Sequence, residues 1–100
     1  MNESIYKNIS YAEAMNIIEK ASSVIIDVRT KEEYDKWHIK NSINIPVNEV
    51  SDIAKGVLKD KEKMIFVYCS AGIRSVVACE ILAGLGYENV YNIEKINEGL

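Results

Sequence analysis

Met64-Ile65-Phe66-Val67-Tyr68 is an unbroken apolar run that ends at Cys69 and empties into Ser70-Ala71-Gly72. A strand whose consecutive side chains are all apolar has no face to offer water, so it belongs in a sheet covered on both sides. Sheets of that kind are parallel, and parallel neighbours need helical crossovers. The rest of the chain supplies them. SVIIDV (23–28) reads as a second buried strand, and IYKNI (5–9), SINIPV (42–47) and NVYNI (89–93) as three more. Between them, SYAEAMNIIEKA (10–21) opens with Ser10 and Glu13, and KEEYDKW (31–37) follows Thr30 with Glu33 in place, the spacing of two capping boxes. A helix over 48–58 is interrupted by Gly56, and the most regular helix runs from Ser75 to Leu85, with an apolar stripe of Val76, Val77, Ile81, Leu82 and Leu85 and with Gly86 as a left-handed cap. The expectation is one α/β domain over residues 1–100, a five-stranded, mostly parallel sheet with helices on both faces.

Composition narrows the function. One hundred residues, 48% of them hydrophobic, suffice for a core without disulfides or a structural metal. A net charge of −3 with no basic run argues against nucleic-acid or phospholipid partners. Every apolar run stops well short of the ~18 residues a membrane span needs. The first ten residues have neither a basic nor an apolar segment of the secretory type, which together with two cysteines points to the reducing cytoplasm. Only His38 could join Cys69 and Cys79 around zinc, so neither a metal nor a cofactor is expected.

The chemistry gathers around Cys69. In open α/β sheets ligands bind beyond the carboxyl ends of strands, which is where this thiol falls. Small residues and Gly72 let loop amides turn inward as an anion nest, and the first turn of the next helix adds further donors. Arg74 stands at that helix start, where a cation is disfavoured by ~0.3–1 kcal/mol unless an anion lies beside it. The same field favours a thiolate, the nucleophilic form.

At this point the residues resemble the rhodanese-like family of single-domain sulfurtransferases. Asp27-Val28-Arg29, Glu33-Tyr34, His38-Ile39 and Asn44-Ile45-Pro46 follow its order, Cys69-Ser70-Ala71-Gly72-Ile73-Arg74-Ser75 matches its active loop, and Leu82, Gly86-Tyr87 and Asn89-Val90 match its closing segment. The resemblance implies a cysteine persulfide on Cys69, charged by an anionic donor such as thiosulfate and discharged to cyanide, a thiol or a protein. Ser70, Ala71, Gly72, Ile73 and Ser75 would cradle the outer sulfur, and Arg74 would steer the donor. Related phosphatases and arsenate reductases place one more residue between Cys and Arg, so the shorter loop here suits one sulfur better than a tetrahedral oxyanion. Alternatives are a regulatory or binding module that has kept the fold, and a carrier dedicated to a protein acceptor.

The resemblance gives Asp27, Arg29, Glu33 and His38 mainly structural roles, with Arg29 paired to Glu33 and the His38 ring bonded to nearby backbone. Cys79 is read as core and too far along its helix to bridge Cys69. Trp37 stands where the family usually has glycine, and either a core or a rim position suits it. Asn41 takes another glycine position, which asparagine tolerates at left-handed φ. The C-terminal stretch from Glu94 departs from the family pattern and predicts a shorter cover.

Overall fold

The structure, a computed structural model, describes residues 5–96. Its strands are β1 (Lys7–Ile9), β2 (Ser23–Asp27), β3 (Ile43–Asn44), β4 (Met64–Tyr68) and β5 (Val90–Ile93). They form one sheet in the order β1-β5-β4-β2-β3, and every pair is parallel. The helices are α1 (Tyr11–Lys20), α2 (Lys31–Lys36), α3 (Val50–Val57) and α4 (Ile73–Gly84). From β2 the chain moves outward to β3, whereas from β4 it moves the other way to β5. The carboxyl ends of β2 and β4 therefore flank the point where the connections diverge, and a crevice there is the natural ligand position in such sheets.

The apolar runs pack as their lack of alternation requires. Ile65, Val67 and Cys69 face α3 and α4, while Phe66 and Tyr68 face α1, and all five are buried. Both capping boxes form, Ser10 with Glu13 and Thr30 with Glu33. Gly86 has φ 99°, as the left-handed end of α4 demands, and Asn41 has φ 70°.

Three expectations are corrected. The strand over 42–47 shrinks to Ile43–Asn44, because Pro46 lacks an N–H and opens a 3-10 turn at Val47–Glu49. The amides of Ile45 and Val47 still bond to the carbonyls of Asp27 and Val28, so the edge stays attached without ladder geometry. In α4 the buried positions are Ser75, Ala78, Cys79 and Leu82, with Val77 exposed, which rotates the inner face away from the predicted stripe. The helix also starts two residues early, since Gly72 is its N-cap. Side-chain volume misled here: small residues let α4 lie close to the sheet.

A buried polar knot ties the carboxyl ends of β2 and β4 together. The Asp27 carboxylate, fully buried, accepts from the Arg29 amide (2.9 Å), from Arg29 Nε (3.1 Å) and Nη2 (2.8 Å), and from the Tyr68 hydroxyl (2.6 Å). Tyr68 Oη in turn accepts from the Ile39 amide at 2.9 Å. Arg29 Nη2 also donates to the carbonyl of Trp37, and the guanidinium lies 5.6 Å from the centre of the Trp37 ring. Trp37 is thus half-buried against the α1 face of the core, its backbone serving the knot. Asn44 Nδ2 donates to the carbonyls of both Asp27 and Arg29 (3.0 Å each).

Asp27→Asn would leave the buried guanidinium without its counter-charge, and breaking such a pair costs about 3–5 kcal/mol. Urea denaturation should show a loss of that size. At the other extreme, Gly56 lies within α3 with open space where a Cβ would stand. Gly56→Ala should raise stability by about 0.5 kcal/mol, the low end of the helical Gly-to-Ala difference, because the position is close to the helix end.

Candidate functional site

Cys69 follows the last residue of β4 and is 1% exposed. Burial alone would make it a core thiol, and its sulfur does border the apolar cluster beneath α4. Main-chain donors set it apart. The Gly72 amide points at Sγ from 3.1 Å and the Ser75 amide from 3.3 Å, while Sγ–H donates to Ser75 Oγ at 3.4 Å. Gly72 makes this possible with φ 88° and ψ 5°, a left-handed turn that folds the loop back over the sulfur and starts α4 in the same step. The Ser75 amide belongs to the first turn of α4, where N–H groups have no helical partner and are free to serve another acceptor. The loop is braced from outside by the Ile96 amide, which donates to the Ser70 carbonyl at 3.2 Å. Ile96 is buried, so the chain after β5 supports the site as far as residue 96; the predicted shorter cover beyond it lies outside the described residues.

Arg74 sits in the first turn of α4, and its compensating anion belongs to the protein. Nη1 donates to Glu33 Oε1 at 2.8 Å and Nη2 to Glu33 Oε2 at 3.2 Å. The resemblance pairs Glu33 with Arg29, whereas in the structure its bidentate partner is Arg74 and Arg29 is held by Asp27. The hydrogen bonds from Arg74, with those from Thr30, outweigh partial burial and hold the Glu33 carboxyl down to about 2. Reciprocally, the bond to Glu33 raises Arg74 above its ordinary value. Glu33 thereby serves two helices, capping α2 through Thr30 and neutralising a cation at the start of α4.

The remaining candidates fall around this centre. Ser70 is half-buried in the loop, whereas Ala71 and Ile73 are exposed, Ile73 at 74%. His38 Nδ1 lies 2.7 Å from the Tyr34 carbonyl, and its ring stacks on Tyr34 with centroids 3.7 Å apart. Cys79 is fully buried, and burial, followed by the nearby Cys69 charge, pushes its thiol up to about 12. Both cysteines are free thiols. Among the described residues no cluster of His, Cys, Asp and Glu could hold a metal ion, and no helix is long and apolar enough to cross a membrane. Tyr68 was missed in the sequence, where it passed as the last apolar residue of a strand. A tyrosine ending a buried strand needs a partner for its hydroxyl, and that requirement was the available signal.

Folding depresses the titration of Glu33 from 4.5 to about 2, so the unfolded chain binds the proton more tightly than the folded one. Its contribution to stability is therefore complete above pH 4.5 and is lost as pH falls through about 2. Glu33→Gln should cost no more than about 1 kcal/mol at neutral pH, since the pair is one-third exposed and screened. The difference between the two proteins in denaturation midpoint should shrink from pH 5 downward and vanish near pH 2.

Comparison with known proteins agrees with this architecture. The Rhodanese-like domain model matches residues 10–95. A thiosulfate sulfurtransferase of Coxiella burnetii, GlpE, is 34% identical over 89 residues, covering 89% of this chain and 81% of that protein. Thiosulfate sulfurtransferase PspE of Escherichia coli is 43% identical over 67 residues, covering 67% of this chain and 64% of its own. Among solved structures, a rhodanese with anions from E. coli superposes with a TM-score of 0.71 at 39% identity, covering 74% of this chain and 87% of that one. With the family model matched over residues 10–95 and a relative 34% identical across most of both chains, this protein belongs to the rhodanese-like domain family.

Proposed function

We propose that the protein is a rhodanese-type sulfurtransferase that carries sulfane sulfur as a persulfide on Cys69. The observation that carries this reading is the pair of amides, Gly72 and Ser75, aimed at one sulfur atom. In a thiol they are modest donors to a poor acceptor; opposite an anionic sulfur they become charge-assisted hydrogen bonds, roughly twice as strong. The sulfurtransferase names of relatives at 34% and 43% identity support the same class.

The reaction balances without a metal or cofactor. The Cys69 thiolate attacks the outer sulfur of thiosulfate; the new Sγ–S bond forms as the sulfur–sulfur bond of the donor breaks, and sulfite leaves with the electron pair. An acceptor nucleophile, such as cyanide, then takes the outer sulfur, and the thiolate is restored. Donor and acceptor meet the same atom in turn, which gives ping-pong kinetics. Ser75 Oγ, now an acceptor from the thiol, can rotate to donate to the thiolate. Amides of the loop from Ser70 to Ile73 would receive the outer sulfur, and Arg74 would meet the sulfonate end of the donor. Asp27, Arg29 and His38 act through the scaffold. Because Cys69 is 1% exposed, sulfur reaches it only when the rim of the site yields.

That burial favours a second reading, a carrier whose acceptor is a protein that opens the rim on docking. One experiment separates them. Intact mass after incubation with thiosulfate should show one added sulfur, removed by cyanide with release of thiocyanate, and absent in Cys69→Ser. A persulfide that forms yet discharges to cyanide slowly supports the protein acceptor. Failure of wild type to gain sulfur from any donor would leave the fold without this chemistry.

A further inference from the structure

Glu33 has a place in the site that its capping role does not require. A capping box needs one side-chain oxygen near the N-cap amide, and Oε1 supplies it at 2.9 Å from the Thr30 amide. Glutamine serves that purpose equally. The carboxylate nevertheless reaches across from α2 to α4 and engages both terminal nitrogens of Arg74. Two of the guanidinium's five N–H groups are taken, and the others have no partner among the described residues. The pair is open to water, with the Arg74 side chain 36% and the Glu33 side chain 34% exposed, so it is weak enough for another anion to compete.

We propose that Glu33 is a specificity-determining residue: an internal carboxylate that competes with the donor's anionic end for Arg74, and so sets how strongly the site discriminates donors by charge. This rests on the sulfurtransferase reading above. A donor with two negative charges, such as thiosulfate, draws more of its binding from the arginine and loses more when the carboxylate neutralises part of it. A donor with one charge, such as methanethiosulfonate, needs less from the arginine and loses less. Its reaction is equally balanced: Cys69 takes the outer sulfur and methanesulfinate leaves with the electron pair. The carboxylate thus narrows the advantage that a bare arginine would give to the more charged donor.

The test is the concentration dependence of sulfur uptake, followed by intact mass, for wild type, Glu33→Gln, Arg74→Ala and the double variant. Glutamine can keep the Thr30 cap, and circular dichroism checks the fold; should Glu33→Gln not fold, Glu33→Asp, which keeps the charge but shortens the reach, is expected to shift in the same direction by less. Glu33→Gln should lower the half-saturating thiosulfate concentration about fivefold, the factor equivalent to about 1 kcal/mol, and that of methanethiosulfonate about twofold. Discharge of the preloaded persulfide to cyanide should be unaffected. In the Arg74→Ala background the Glu33 substitution should lose most of its effect. An unchanged or raised thiosulfate requirement in Glu33→Gln would overturn the proposal and make the carboxylate a support that aims the arginine. An equal gain with and without Arg74 would overturn it too, because the repulsion would then act directly on the donor. Sulfur uptake in all these cases leaves the catalytic reading intact; its absence in wild type removes both.

Discussion

The Asp27 carboxylate is the interaction on which the rest of the site stands. It is fully buried, yet it accepts from a guanidinium, a backbone amide and a tyrosine hydroxyl, so its charge is compensated and its lone pairs are used. A buried ion pair is weak evidence for stability as such. What this one achieves is registration. Asp27 ends β2, Tyr68 ends β4, and the hydroxyl between them also takes the Ile39 amide from the turn before β3. Three chain segments are fixed at the level from which the Cys69 loop departs. An apolar replacement could fill the volume, but it would not specify where the last residue of β4 stands relative to the last residue of β2.

From that platform the loop geometry follows in short steps. Cys69 directly follows Tyr68, so its position is inherited from the knot. Gly72 then turns left-handed, which both aims its own amide at the sulfur and begins α4. The helix start delivers the Ser75 amide to the same atom. A side chain at residue 72 would meet only ordinary contact with Glu94, 3.8 Å away, so the demand for glycine there is conformational rather than steric.

Much of this was legible in the sequence, and the reason is local. The two capping boxes, the consecutive apolar strands and the left-handed Gly86 each depend on residues within a few positions of one another. The same holds for Cys69 and Gly72, where a strand end, small loop residues and a following helix start together suggest a nest. What escaped depends on partners distant in sequence. Arg74 was recognised as an oddity at a helix start, but the anion answering it lies 41 residues away on α2. Tyr68 looked apolar until Asp27, also 41 residues away, gave its hydroxyl a purpose. The inner face of α4 was misplaced because a periodicity argument weighs size, whereas close packing against a sheet selected Ser75, Ala78 and Cys79.

The two ion pairs near the site divide labour by their exposure. Asp27 and Arg29 are sealed, and separating them would strand a charge in the interior; such a pair cannot respond to a ligand without disturbing the fold. Glu33 and Arg74 stand at the rim, where water screens them and separation costs little. The rigid pair fixes the strand ends from which the Cys69 loop departs, and the loose one stands at the start of the helix that follows that loop.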